Sequence, residues 1–176
     1  MKIKHVNKEV ISIDDPIAVL SRENMREIIS LAGKNERKRM RICVHRDEQE
    51  KHQEMFIVHT KETYVRPHRH MNKAESFEVL EGEVDVVLFD EKGQVTEVVR
   101  MSDYASGKPF YYRIASPVYH SLVVRSEHLL FKESTTGPFV RSESEFAPWS
   151  PEEKDGAAMK EFTAKLQQKI SKRFQQ

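Results

Sequence analysis

Glu83-Val84-Asp85-Val86-Val87-Leu88-Phe89-Asp90-Glu91-Lys92-Gly93-Gln94-Val95-Thr96-Glu97-Val98 is the stretch on which the fold turns. Two short apolar, β-branched runs flank Asp90-Glu91-Lys92-Gly93, a polar turn whose glycine is free to take a positive φ, so the two runs are expected to pair as an antiparallel hairpin. The same period of two extends over residues 41–133. Apolar segments at 42–45, 55–60, 64–70, 75–80, 83–89, 94–101, 110–114, 120–124 and 129–133 are separated by polar or glycine-bearing turns. Short strands at this spacing predict an all-β sandwich or barrel.

Outside this region the pattern changes. Near the N-terminus Val10-Ile11-Ser12-Ile13 alternates and stops at Asp14-Asp15-Pro16, which reads as a lead-in or edge strand. Ser21 then precedes a segment in which Met25, Ile28, Ile29 and Ala32 recur at helical spacing, with Gly33 as a stop. In the tail, Ser150-Pro151-Glu152-Glu153 has the form of an N-cap serine, a first-turn proline and a capping-box glutamate, so a helix is expected to start there. Met159, Phe162, Leu166 and Ile170 form an apolar stripe that needs cover, either from the barrel or from a second subunit, and a homodimer is the expectation. The predicted organisation is a strand and helix over residues 1–40, a barrel over 41–135, and a linker with an amphipathic helix over 136–176.

Composition narrows the class. The 176 residues carry 29 Lys and Arg against 28 Asp and Glu, a net charge of +1, which removes the overall attraction expected of a nucleic-acid or anionic-lipid binder. The basic run 34–41 is read as a solvated loop. No apolar run approaches the roughly 20 residues of a membrane span, and the first residues lack an apolar signal core, so a soluble, cytoplasmic protein is expected. Cys43 is the only cysteine and has no intramolecular disulfide partner; it is read as a small core residue.

The chemistry lies in Tyr64-Val65-Arg66-Pro67-His68-Arg69-His70-Met71-Asn72-Lys73-Ala74-Glu75. Residues two apart on a strand share a face, about 7 Å apart, so His68 and His70 project to one point. Met71 to Ala74 are enough for a turn, after which Glu75 opens the returning strand beside both imidazoles. His120, opening another strand, is the expected fourth ligand. Three nitrogens and one oxygen suit Fe, Mn, Ni, Co or Zn better than Ca or Mg. Four protein ligands on an ion that accepts six leave room for water or substrate. Tyr64 and Arg66 have the parity of the two histidines and are expected on the same inward face, with Tyr64 moving a proton and Arg66 clamping a carboxylate or phosphate. Tyr112 and Tyr119 are further tyrosines at the barrel mouth.

His-x-His, four residues, Glu, six residues, Gly, as found from His68 to Gly82, resembles the first motif of the cupin superfamily. Glu62 stands where that motif has its first glycine. The second cupin motif is matched in part, with Ala115, Pro117 and His120 at its proline, glycine and histidine positions and Val124 at its asparagine. Tyr64 to His70, Ser76-Phe77, Leu80-Glu81-Gly82-Glu83 and Asp85 to Asp90, with Arg41 to His45 and Glu54-Met55, are similar to the WbuC-type cupin fold metalloproteins over about residues 20–135. That resemblance implies a cupin-like double-stranded β-helix, or jelly-roll barrel, flanked by an N-terminal and a C-terminal helix. It also implies a metal held by the barrel and a place in bacterial surface polysaccharide, often O-antigen, biosynthesis.

Three readings follow. The first is a metal-dependent isomerase or epimerase of a sugar or nucleotide sugar. The second is a non-catalytic barrel that binds a saccharide or other small anionic ligand through its metal. The third is an iron-dependent dioxygenase.

Overall fold

The computed structural model describes residues 3–174. In chain order the main elements are β1 (Ile3–His5), β2 (Val10–Ile13), α1 (Arg22–Lys34), β3 (Arg39–Cys43), β4 (His52–Thr60), β5 (His68–His70), β6 (Glu75–Glu81), β7 (Glu83–Phe89), β8 (Val95–Ser102), β9 (Tyr111–Ile114), β10 (Tyr119–Val124), β11 (His128–Thr136), β12 (Ser144–Phe146) and α2 (Gly156–Arg173). The stretch that opened the sequence reading is the β7–β8 hairpin, paired antiparallel from Glu83↔Ser102 to Phe89↔Val95. Asp90 Oδ1 accepts from the Lys92 and Gln94 amides at 2.9 and 2.8 Å, and Gly93 takes φ 77°.

The strands form a seven-stranded sheet, β1-β2-β3-β4-β11-β6-β9, and a five-stranded sheet, β12-β5-β10-β7-β8. Alternation along the strands sends Met55, Ile57, Phe77, Val79, Val84, Val86, Leu122 and Phe131 into the space between the sheets. The architecture is mainly β, two curled sheets closed into a jelly-roll barrel with one helix on each outer face. Because those outer faces are covered too, several strands depart from a simple buried/exposed alternation; β10 is buried along its whole length.

Each helix covers one sheet. Ser21 caps α1 and forms a reciprocal capping box with Asn24, and Met25, Ile28 and Ala32 pack on Ile13, Met40, Ile42 and Val58 of the larger sheet. Full burial of Ile28 alone contributes roughly 1.5–3 kcal/mol. On the other side Leu166 and Ile170 of α2 pack on Val87, Phe89, Tyr119 and Val123. The apolar stripe of the last helix is therefore consumed by the protein's own barrel and offers no argument for a second subunit. No helix among the described residues is long and apolar enough to cross a membrane.

Four local expectations are corrected. The 64–70 segment is a strand only from His68, because Pro67 has no amide to donate and the Val65 and Pro67 carbonyls accept from Ser121 Oγ and the Ala147 amide instead. The last helix begins at Gly156 with Asp155 as its cap; Ser150 is buried, donating to the Ala147 carbonyl at 2.7 Å and accepting from Arg66. The basic run is a fastener rather than a loose loop: Arg37 and Arg39 each pair with Glu9 and with Glu153, tying both ends of the chain to the barrel. Finally, the linker expected at the start of the 136–176 segment contains β12, which adds a strand beside β5.

Candidate metal centre

β5 runs between β10 and β12, with His68 opposite His120 on one side and opposite Phe146 on the other. His70, two residues on, shares the face of His68. A tight turn then carries the chain to the other sheet, where Glu75 is the first residue of β6. The smaller sheet thus supplies the imidazoles of His68, His70 and His120, and the larger sheet the carboxylate. Offering one donor atom each, the four residues bring donors within 4.8 Å of one another. His70, Glu75 and His120 are buried and His68 half-buried.

Backbone and side-chain acceptors fix the rings. His68 Nδ1 donates to the Arg66 carbonyl at 2.9 Å and His120 Nδ1 to the Val118 carbonyl at 3.0 Å. A carbonyl only accepts, so the proton of each neutral ring is on Nδ1 and the Nε2 lone pair is presented to the cluster. His70 Nδ1 lies 3.0 Å from Ser144 Oγ, and its Nε2 is 2.8 Å from Glu75 Oε2. His120 Nε2 is 3.6 Å from Glu75 Oε1, beyond hydrogen-bond range, and is buried with no hydrogen-bond partner among the described residues.

The donor set fits a divalent transition metal. With bonds of about 2.1 Å, donors on one ion sit roughly 3.0–4.2 Å apart, so this cluster closes on an ion with side-chain adjustments of under about 1 Å. Electrostatics agree with the geometry. Burial, and the positive field of His120 when protonated, push His68 down to about 3, so its ring is neutral at pH 7. Burial works against the charged form of Glu75, yet the His120 and His70 rings overcome it and hold the carboxyl well below the usual range. Burial opposes charge on His120 as well, and Glu75 prevails, raising it. A buried carboxylate among imidazoles is a site awaiting positive charge.

Tyr64 and Arg66 do not join these four. Tyr64 donates to the Pro151 carbonyl at 3.0 Å and packs edge-on to Phe162 of α2. Arg66 donates through Nε to Ser150 Oγ at 3.1 Å and lies 4.7 Å over the Phe146 ring. What Arg66 gives the cluster is its carbonyl, which orients His68. Tyr119 donates to Glu145 at 3.1 Å under the Arg69 guanidinium. Cys43 packs in the core, where burial raises its thiol.

Two further residues stand beside the cluster: Glu133, which the sequence reading did not single out, and Tyr112, which it set at the barrel mouth. Glu133 of β11 has the inward parity of Leu129 and Phe131, and burial together with the Glu75 charge raises it to about 8. Tyr112 of β9 turns its hydroxyl inward, buried and without a partner among the described residues. For Glu133 the signal was present in the alternation Leu129, Phe131, Glu133. Ser144 had no such signal, because nothing in Ser144-Glu145-Phe146 marks a strand until β5 offers an edge.

Residues 20–101, less than half of the chain, match a family model described as a domain of unknown function (DUF6016). No curated protein matches the chain in sequence. Among solved structures, protein SO0799 from Shewanella oneidensis is 10% identical, with a TM-score of 0.50, over 60% of this chain and 72% of that one. The barrel has a cupin-like, double-stranded β-helix fold. An uncharacterised Klebsiella pneumoniae protein with a double-stranded β-helix domain is 12% identical, with a TM-score of 0.48, over 62% of this chain and 79% of its own. A variant of Bacillus subtilis oxalate decarboxylase is 17% identical with the same TM-score of 0.48, and the match takes in 61% of this chain but only 27% of the decarboxylase. At these identities the likeness is one of fold alone, and the chemistry of this chain rests on its own residues.

Proposed function

We propose that this cupin holds one divalent transition metal through His68, His70, Glu75 and His120 and uses it to bind and isomerise or epimerise a small, oxygen-rich, anionic substrate of the sugar class. The observation that carries the reading is the convergence of four donors whose rings are fixed from behind by the Arg66 and Val118 carbonyls and Ser144. Such a metal supplies Lewis-acid polarisation of a substrate carbonyl or hydroxyl. The protein residues keep His68 neutral, hold Glu75 ionised and restrict solvent at the ligand end of the barrel. The WbuC-type resemblance of the 64–90 stretch supports a place in bacterial surface polysaccharide synthesis.

A second reading, binding without turnover, is favoured by one observation: Tyr64 and Arg66, the groups expected to move a proton and clamp the substrate, are engaged with Ser150 and Pro151 instead. The iron-dependent oxygenase reading stands on metal identity alone.

Elemental analysis of protein purified without tag or chelator tests the metal reading, alongside His70→Ala and His120→Ala. One equivalent of Fe, Mn, Ni, Co or Zn in the parent, lost in both variants, is the expected result. Full metal content in either variant, or none in the parent after incubation with these ions, overturns it.

A further inference from the structure

The inner face of the larger sheet carries a second set of polar groups level with the metal cluster. In strand register, Cys43 pairs with Met55, Met55 with Glu133, Glu133 with Phe77 and Phe77 with Tyr112, so these five form one row across β3, β4, β11, β6 and β9. Glu75 is two residues from Phe77 on the same face, directly opposite Thr135. Sheet geometry puts such a diagonal neighbour about 7–8 Å from Glu133, the span of a small molecule bound at the metal.

Neither polar group in that row is satisfied. Glu133 makes no hydrogen bond or ion pair among the described residues, although it lies deep in the barrel and keeps only part of its surface in solvent. The Tyr112 hydroxyl is buried and unpartnered, and its ring lies 5.2 Å from Phe77, the apolar floor between the two. Unsatisfied buried groups in a native fold call for a water, an ion or a ligand. Two of them flanking one aromatic ring beside an orphaned His120 Nε2 are arranged for a single occupant.

Charge and hydrogen-bonding type select its class. The cations whose fields reach Glu133 are Arg41 and Lys73; Arg41 lies along the same wall, with NH1 3.9 Å from Met55 Sδ. A divalent ion, Arg41 and Lys73 together outweigh Glu75 and Glu133, so the recess favours an anion. A carboxyl oxygen of Glu133 accepts a hydrogen bond from a hydroxyl in either protonation state, and the phenol of Tyr112 donates one to an oxygen. We propose that Glu133, Tyr112 and Arg41 form a ligand subsite for a hydroxycarboxylate, with the anionic end toward the metal and Arg41 and a hydroxyl on Glu133. This deepens the proposed function and rests on it, naming the anionic substrate as a sugar acid.

The test is calorimetric titration of the metal-loaded full chain with gluconate, with acetate and sorbitol as controls that each lack one half of the recognition. Metal content is measured on every sample. Gluconate is expected to bind, acetate and sorbitol to bind at least about tenfold more weakly, and Glu133→Gln, Tyr112→Phe and Arg41→Gln each to weaken gluconate about tenfold or more with stoichiometric metal retained. Glu133→Gln and Tyr112→Phe preserve shape, and circular dichroism confirms their fold. Metal-loaded parent that ignores gluconate, variants that bind it as the parent does, or acetate that binds equally well overturns the subsite while leaving the metal reading intact. A parent chain that takes up no metal overturns both.

Discussion

Replacing Ser144 with alanine removes one atom from behind the metal cluster and none from within it. Ser144 Oγ lies 3.0 Å from His70 Nδ1, and the two residues are register partners in the β12–β5 pair, which the Met71 amide extends by donating to the Glu143 carbonyl at 2.9 Å. The strand and all four ligands survive the substitution; what disappears is the hydrogen-bond partner that fixes the His70 ring. A neutral hydrogen bond contributes about 1 kcal/mol net, and one to a group carrying charge about 1.5–3 kcal/mol. An imidazole bound to a divalent ion approaches the second case, so metal affinity is expected to fall about 10- to 100-fold, the range seen when the outer partner of a ligand is removed. Competition against a chromogenic chelator at fixed pH reads this directly, with saturation at one equivalent unchanged. Ser134→Ala, whose hydroxyl reaches Glu54 at 3.4 Å away from the cluster, is the control and leaves affinity unaltered. An affinity within twofold of the parent would refute the reasoning, and so would loss of all metal, since the first denies Ser144 an orienting role and the second makes it a ligand.

Two further predictions concern the frame around the site. Burial, aided by the Arg37 charge, pushes His59 down to about 4 from its ordinary 6.5, so between those values the unfolded chain binds the extra proton and stability falls with falling pH, by about 1.4 kcal/mol per unit. Urea unfolding of the parent and His59→Leu at pH 7 and pH 5 should therefore differ between the two pH values by about 2 kcal/mol; a pH-independent difference sinks the assignment. Gly82, at φ 99°, has room for no side chain, because a Cβ there would lie 2.3 Å from the His128 carbonyl oxygen. Gly82→Ala is expected to cost at least about 2 kcal/mol of stability, whereas Gly33→Ala in α1, with nothing within 4 Å, should be neutral or slightly stabilising; equal melting temperatures for the two variants would contradict the clash.

Period-two alternation made the strands legible because it depends only on which face meets the core. The His68, His70, Glu75 spacing made the cluster legible because those residues are joined by one strand and one turn. Parity arguments failed at Tyr64 and Arg66 for a physical reason: alternation holds only while a ladder holds the backbone, and Pro67 ends the ladder before His68. The Ser150-Pro151-Glu152-Glu153 signature misled because a serine oxygen that caps a helix equally well receives an arginine. In this chain Arg66 reaches Ser150, and Asp155 caps the helix five residues later. Sequence spacing sees local hydrogen-bond offers; it does not see which distant partner arrives to compete.

The same competition explains why the C-terminal arm belongs to the site although it contributes no ligand. Ser150 holds the Arg66 side chain, and the Arg66 carbonyl holds His68 Nδ1. Phe146 lies across from His68, with ring centroids 6.3 Å apart, and Ser144 meets His70. Glu153, beyond Ser150, closes the arm onto Arg37 and Arg39. The arm therefore fixes two of the three imidazoles from behind, while the carbonyl of Val118, just before β10, fixes the third. A cluster read from a His-x-His motif has named atoms but no defined orientation, and orientation is what turns the Nε2 atoms toward one point. The metal affinity should accordingly depend on residues 144–153 as well as on the strand that carries the motif.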